Sequence, residues 1–518
     1  MTVNILWTDD EIDLLKPHIL FLTNKGYTVD KATNGVDALE KVRTNKYDVI
    51  FLDENMPGIS GIETLLQIKL IRPEVPVVMI TKSEEEHIME DAIGNQIADY
   101  LIKPVNSNQI LLSLKRILDG KQLVTEKTAQ NYQQEFRQLS MDLSDVNSFE
   151  GWSTMYRKLI YWELELAKSG ETGMDEILAM QKRDANNGWS KFVKDNFINF
   201  LKRPDAQTPV MSHTVVNKKL IPLLKDETPT FLILIDNFRF DQWKVVQNTL
   251  NELFNLVQEE TYMTILPTTT HYARNSFFAG MLPLEIEKLY PNLWVNEEDE
   301  EGKNIHEEDL LGRQLLRAGI KDKFSYTKIT NLNAGKDLVD AVPNMWHNKL
   351  NVIVYNFVDM LSHARTEMNV MKELAENEAA YRSITASWFE HSPLYEAIKK
   401  IASKKARIVI TTDHGSIRVN NPVKIVGDRS TSTNLRYKQG RNLSYNEKEL
   451  FSVKNPADAF LPKQNMSSSY VFAMGEDFMA YPNNYNYHVK MYNNSFQHGG
   501  ISLEEMIVPF VVMETKPS

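Results

Sequence analysis

The chain of 518 residues carries 58 lysines and arginines against 69 aspartates and glutamates, a formal charge of −11, and no cysteine. That length exceeds one hydrophobic core and predicts two to four domains, while the ordinary apolar and charged fractions, with no 18-residue apolar run, exclude a transmembrane helix. The missing cysteine excludes disulfides and thiolate metal sites, so any metal must take oxygen and imidazole ligands, and the acidic balance excludes whole-surface binding to nucleic acid while leaving a local basic patch open.

The first residues, with polar Thr2 and Asn4 leading into a strand pattern, show no signal-peptide pattern. Together with the absence of cysteine this predicts a cytoplasmic protein. Over residues 1–120 the apolar runs NILWT, YTVDKA, YDVIFLD, VPVVMIT and ADYLIK alternate with helical patterns, the first from Glu11 to about Lys25, stopped by Gly26. Five strands alternating with five helices predict a doubly wound, five-stranded parallel sheet. Asp9 and Asp10 end the first strand, Asp53 the third, Thr81 the fourth, and Lys103-Pro104 the fifth. All fall at the carboxyl edge of one sheet, where α/β folds place their sites. Three carboxylates there suit an oxygen-ligated Mg²⁺. Lys103 offsets the charge that builds on Asp53 during phosphoryl transfer. The Thr81 hydroxyl then meets the new phosphoryl oxygens, and Tyr100 turns into the space that Thr81 vacates. Singly, Asp10 is a helix N-cap and Lys103-Pro104 a turn; the joint pattern carries more.

Residues 121–203 hold no strand signal and predict a helical bundle linker. Trp152, Met155, Tyr156, Leu159, Trp162 and Leu166 recur at helical spacing, and Trp189, Phe192, Val193, Phe197, Phe200 and Leu201 do the same after an expected break at Asn186-Asn187-Gly188.

Residues 204–518 return to strands and helices: FLILID ending in Asp236, a helix expected from Gln242 to Phe254, YMTILP, VIVYNFVD, and RIVITTD. Asp359 and His363, four apart, share one helical face after a strand. Asp413 and His414 are adjacent, and Gly415 lets backbone approach closely. His498 stands in QHGG, and LPTTTHYARNS carries a threonine cluster. Carboxylates and imidazoles at strand ends predict a two-metal hydrolytic site, with Zn²⁺ (or Mn²⁺) accepting both donor types. His271 is a rival ligand. A long polar stretch near 415–470 reads as a functional insertion. Within it Arg418, Lys424, Arg429, Arg436, Lys438 and Arg441 face only Asp428 over 418–441, with Tyr437 interleaved. Such a segment binds substrate phosphates or is a solvated hairpin.

These patterns resemble known families. The first 120 residues resemble the receiver domain of two-component response regulators, which implies Asp53 as phosphoacceptor, Asp9 and Asp10 as Mg²⁺ ligands, Thr81 and Tyr100 as switch residues and Lys103 as stabiliser. The order of motifs over 204–518 resembles the alkaline phosphatase superfamily, above all its nucleotide phosphodiesterase-like branch. There a Pro-Thr-x-Thr turn carries the nucleophile, which selects Thr270 in Pro267-Thr268-Thr269-Thr270. The resemblance implies one metal on Asp359, His363 and His498 and a second on Asp236, Thr270, Asp413 and His414. One departure is Asn237, where the pattern usually has glycine. The whole chain resembles response regulators with a PglZ-type effector domain associated with type IX secretion. That implies a sensor histidine kinase, a homodimer on phosphorylation, phosphodiesterase action on cyclic or linear oligonucleotides, and a sigma factor or secretion-system component as protein partner. The competing reading is a non-catalytic regulator whose zinc is structural and which docks partners on dimerisation. A DNA-binding transcription factor is disfavoured, since no helix-turn-helix with a basic face is evident.

Overall fold

The computed structural model describes residues 3–82, 97–169, 173–296, 302–356, 377–428, 431–463, 465, 467–483 and 485–517, the side chains of 119–126 excepted. The chain divides into two compact units, residues 1–131 with 169–171, and residues 132–168 with 172–518.

In the first unit, β1 (Asn4–Thr8), β2 (Thr28–Ala32), β3 (Val49–Asp53), β4 (Val77–Thr81) and β5 (Asp99–Ile102) form one parallel sheet in the order β2-β1-β3-β4-β5. β3 and β4 are buried along their whole length because both sheet faces are covered, as their unbroken apolar runs require. The helix expected from Glu11 begins as a 3₁₀ turn, Ile12–Leu15, before the α-helix Lys16–Asn24. Pro17 explains the seam, because it sits in the first turn of the α-helix, where its missing N–H costs nothing.

In the second unit, β6 (Thr230–Ile235), β7 (Phe254–Met263), β8 (Phe324–Ile329), β9 (Leu350–Tyr355), β10 (Arg407–Thr411) and β11 (Ile507–Thr515) form a six-stranded sheet ordered β7-β11-β10-β6-β9-β8. β10, β6, β9 and β8 run parallel, while β11 is antiparallel to both of its neighbours. The helix expected from Gln242 spans Phe240–Asn251, and β7 starts where it was expected to end, at Phe254. The polar stretch after residue 415 folds into short strands, among them Ile417–Val419 on Ser495–Gln497, and Tyr437–Gly440 on Ser469–Ala473.

The helices Phe149–Ser169 and Asp175–Lys202 share one continuous apolar core with this sheet. The expected break at Asn186-Asn187-Gly188 is absent: the second helix runs straight through it. The tertiary contacts explain why. A Cβ on Gly188 would lie 2.6 Å from the Trp152 ring, so the glycine is there to let two helices approach. Asn186 is 3% exposed; its amide donates to Glu504 at 3.1 Å and accepts from Leu503 N at 2.8 Å. Both residues meet packing demands that outweigh their poor helix propensity.

A buried charge network ties these helices to the sheet. Lys182 pairs with Glu163 at 2.8 Å, Glu163 with Arg382, Arg382 with Asp241 at 3.2 Å, and Asp241 with Arg239 at 2.6 Å. Burial would raise the Glu163 carboxyl, but Lys182 and Arg382 hold it well below the usual range. Asp241 is likewise held low by Arg239 and Arg382 against its burial. A depressed folded pKa contributes stability above the unfolded value near ~4 and loses it as pH falls through the folded value. Glu163→Gln should therefore lower the stability of this unit by about 1.5–3 kcal/mol near neutral pH, because two buried cations each lose one carboxylate, Arg382 keeping Asp241 and Lys182 keeping Glu504. The deficit relative to the parent should shrink below about pH 4. Thermal unfolding of the full chain across pH checks both; a deficit independent of pH contradicts the account.

Candidate metal and phosphoryl-transfer sites

In the first unit, Asp9, Asp10 and Asp53 bring carboxylate oxygens within 4.8 Å of one another at the carboxyl edge of the sheet. Lys103 Nζ lies 3.0 Å from both Asp9 Oδ2 and Asp53 Oδ2. Burial pushes the Asp53 carboxyl up, and the hydrogen bond from Lys103 opposes it. Asp53 Oδ1 is buried and accepts no hydrogen bond among the described residues. Thr81, 5% exposed, ends the neighbouring strand, and Tyr100 is 36% exposed. Three carboxylates with one ammonium fit a hard divalent cation that keeps several waters.

The second site follows from strand register. β10 pairs with β6 so that Thr411 faces Leu234. Asp413 and Asp236, each two residues further on, therefore emerge together from adjacent strands spaced ~4.8 Å apart. With His414 they form a buried cluster of donor atoms within 4.8 Å. The Thr270 hydroxyl lies 3.3 Å from Asp236 Oδ1 and 3.3 Å from His414 Nε2. His414 Nδ1 is 3.0 Å from the Gly415 carbonyl, which can only accept. The proton is thus fixed on Nδ1, and the Nε2 lone pair faces Thr270 and Asp236. Gly415 is required here, since a Cβ would come within 2.0 Å of the Glu504 carbonyl oxygen. Two carboxylates, an imidazole lone pair and a hydroxyl fit a borderline divalent cation such as Zn²⁺.

The His498 ring stacks on His414 at 4.4 Å and 18°. Its Nδ1 faces the Thr268 carbonyl at 3.2 Å. Asp359 and His363 lie outside the described residues. His271 turns away: Nε2 donates to Val295 O at 2.8 Å, the ring stacks on Trp294 at 4.7 Å, and burial lowers its pKa to about 4. Asn237, where glycine was the expected residue, has φ +59°. That left-handed conformation explains the substitution, since asparagine tolerates it better than most side chains.

Arg274 was not singled out by the sequence. It follows Thr270 by four residues on the same helical stretch, so both side chains point into the site. Its guanidinium is fully buried; Nε donates to Asp413 Oδ2 at 3.0 Å, another nitrogen pairs with Asp236, and Nη1 donates to Asn356 at 3.2 Å. Burial would raise the Asp413 carboxyl, but Arg274 holds it below the usual range. An arginine one turn after a candidate nucleophile was the signal available in LPTTTHYARNS.

The basic segment over 418–441 needs correction. Arg436 is fully buried, paired with Glu505 at 2.6 Å, and Lys438 is 1% exposed, donating to Ser432 O at 2.9 Å with its ammonium 4.8 Å over the Tyr481 ring. All four residues of the Tyr437–Gly440 strand are buried, so these cations serve packing and cannot meet substrate. Lys424 and Arg441 are exposed, Arg418 is half-buried, and Arg429 lies outside the described residues. Among the described residues no helix is long and apolar enough to cross a membrane.

Comparison with known proteins adds three family matches: response regulator receiver domain over residues 5–115, PorX response regulator linker domain over 122–201, and BREX system PglZ alkaline phosphatase-like domain over 215–513. The chain is 36% identical over 134 residues to the transcriptional regulatory protein ZraR of Klebsiella oxytoca, covering 25% of this chain and 30% of that protein. It is 33% identical over 114 residues to the transcriptional regulatory protein ResD of Bacillus subtilis strain 168, covering 22% and 47%. It thus spans less than half the length of these curated relatives. Among solved structures it is similar to the chemotaxis protein CheY4 of Vibrio cholerae (30% identity, 23% of this chain, 99% of that chain, TM-score 0.21). A two-component response regulator from Clostridium difficile is similar too (31% identity, 23% and 97%, TM-score 0.22).

Arg274→Gln should strand two facing buried carboxylates and cost about 3–5 kcal/mol in chelated protein. Added Zn²⁺ replaces the lost positive charge, so it should raise the melting temperature of the variant more than that of the parent. Melting curves with chelator and with Zn²⁺ test this; an equal rise in both proteins contradicts the charge-compensation role.

Proposed function

The chain belongs to the PglZ alkaline phosphatase-like family, and from that premise we propose that it is a response regulator whose effector domain is a metal-dependent phosphodiesterase controlled by phosphorylation of Asp53. The receiver domain, the linker match and the PglZ-like effector make it a two-component response regulator. The finer reading, hydrolysis of cyclic or linear oligonucleotides in the regulation of type IX secretion, is our inference. So is the domain division at 1–120, 121–203 and 204–518. The observation that carries catalysis is the Thr270 hydroxyl, held 3.3 Å from both Asp236 and His414. A purely structural metal site has no use for a hydroxyl poised in this way.

Asp236, Thr270, Asp413 and His414 would hold one cation, with Asp359, His363 and His498 as the set for a second. A bound divalent cation there supplies positive charge that favours the threonine alkoxide and offsets charge developing on the phosphoryl oxygens. Thr270 Oγ attacks phosphorus in line, its proton leaves to solvent, and the P–O bond to the departing alkoxide breaks. Water then cleaves the phosphothreonine and restores the hydroxyl. His414, with its proton fixed on Nδ1, keeps a lone pair on the nucleophile's side throughout. Arg274 anchors Asp236 and Asp413 so that the cluster holds its spacing.

In the receiver, Lys103 bridges Asp9 and Asp53 and is placed to neutralise an added phosphoryl group. A sensor histidine kinase is the donor that such a domain implies. Phosphorylation would draw in Thr81 and turn Tyr100 inward, exposing a surface for dimerisation.

Thr270→Ala should keep divalent-metal binding and lose turnover of a small phosphodiester by orders of magnitude. Full turnover in the variant removes the nucleophile assignment. Absence of turnover in the metal-loaded parent, over linear and cyclic substrates, moves the protein to the non-catalytic regulator reading.

Sedimentation with Mg²⁺ and a beryllofluoride phosphate mimic should show a shift from monomer to dimer that Asp53→Ala abolishes. An identical profile with and without the mimic contradicts the switch.

A further inference from the structure

One stretch departs from the chemistry of the rest of the chain. From Phe478 to Leu503 there is no acidic residue, in a protein that carries 69 of them in 518 positions, while the stretch supplies four tyrosines and five asparagines. Within it the helix Tyr485–Tyr492 (YNYHVKMY) buries none of its side chains. Tyr487 is 66% exposed, and Asn486 and Lys490 are exposed beside it. The rings of His488 and Tyr492 stack at 6.3 Å and 2°. Lys424, from the strand Asn421–Lys424, holds its ammonium 5.1 Å over the Tyr485 ring. Tyr485, His488, Val489, Met491 and Tyr492 are half-buried, Tyr492 against the cluster of Ile417, Val419 and Phe478, and the open face of the helix offers the Asn486 amide, the Tyr487 ring and the Lys490 ammonium to water.

Its position relates it to the candidate site. Strand Ile417–Val419 pairs antiparallel with Ser495–Gln497. At one end this ribbon continues into Asp413 and His414 on one side and His498 on the other. At its other end, Asn494 donates to the Val419 carbonyl at 2.7 Å just after the helix finishes. Three residue pairs at ~3.3 Å per residue make the ribbon about 10 Å long. That is the span of about three bases at a ~3.4 Å rise. Arg418 lies midway, opposite Phe496, and its buried Nε meets no acceptor among the described residues.

We propose that the helix Tyr485–Tyr492, with Lys424 and Arg418, is a platform on which bases of a single-stranded oligonucleotide stack while one of its phosphodiesters lies at Thr270. The proposal rests on the phosphodiesterase reading and specifies how that site takes its substrate. Aromatic rings accept any base face, so the platform is tolerant of sequence. Arg418 on the ribbon and Lys424 beside the helix match the backbone phosphates, and asparagine amides can pair with base edges. A protein partner is the poorer fit. Lysines are depleted at protein interfaces, whereas Lys424 and Lys490 are exposed here beside Tyr487.

The test is equilibrium binding to the zinc-loaded full chain carrying Thr270→Ala, read by fluorescence anisotropy. The probes are 5′-fluorescein hexauridylate and an abasic hexamer of equal charge. The parent background should bind hexauridylate at least tenfold more tightly than the abasic strand. Adding Tyr487→Ala should weaken hexauridylate binding about tenfold, leave abasic binding nearly unchanged, and not move the melting temperature, since Tyr487 is largely exposed. Equal affinity for the two strands in the parent, or undiminished hexauridylate binding in the Tyr487→Ala variant, overturns the platform and gives this face to a protein. Turnover of methyl p-nitrophenyl phosphate by the Thr270-intact chain separates the two failures. If it persists while the base preference is absent, only the platform falls; if it is absent, the hydrolase reading falls.

Discussion

Two like charges forced together in a dry interior are the constraint around which the effector unit is arranged. Sheet register leaves no freedom in the matter, because Leu234 and Thr411 are partners and each chain turns out of its strand two residues later. Asp236 and Asp413 are 1% and 0% exposed. At that depth their repulsion is poorly screened. Something cationic must lie between them, and Arg274 is built into the fold for that duty. A divalent ion held by Asp236, Asp413, His414 and Thr270 would join an arrangement whose charge is already partly balanced. The polypeptide meets the electrostatic cost with a guanidinium that cannot lose its proton.

A second cationic hub stands behind the first. Arg239 follows Asp236 by three residues, donates to the Ser416 carbonyl at 3.3 Å beyond His414, and lies 5.1 Å from the Phe496 ring two residues before His498. Through Asp241 and Arg382 it connects to Glu163 and Lys182 on the two long helices. Three loops that carry candidate ligands are therefore fastened to one buried guanidinium. The helices and the ligand loops are thus joined by charged contacts, which are geometrically exacting, as well as by the apolar core they share.

Much of this was legible in the sequence because the informative residues sit where periodicity is strongest. NILWT, YDVIFLD, FLILID and RIVITTD are runs that only a doubly covered strand explains, and Asp53, Asp236 and Asp413 stand at their ends. What could not be read was settled by contacts distant in sequence. Asn186-Asn187-Gly188 has the composition of a turn, yet its place is decided by Trp152 and Glu504, 36 and 318 residues away from their respective partners Gly188 and Asn186. Arg436 and Lys438 look like a basic surface until Glu505 and Ser432 are brought beside them by the strands Tyr437–Gly440 and Ser469–Ala473. Charge in a sequence carries no sign of which way it faces. Arg274 escaped for the opposite reason: it stood next to a motif so suggestive that the threonines drew all the chemistry.

The uninterrupted helix Asp175–Lys202 has a mechanical consequence. At ~1.5 Å per residue its 28 residues make a beam about 42 Å long. It is pinned near its middle, where Gly188 seats against Trp152 and Asn186 grips the backbone of Leu503 and the side chain of Glu504. A turn at that point would have served as a hinge and dissipated any torque. A continuous rod held at its centre is stiff there instead, and it is seated on the residues that lead directly into the last strand of the six-stranded sheet.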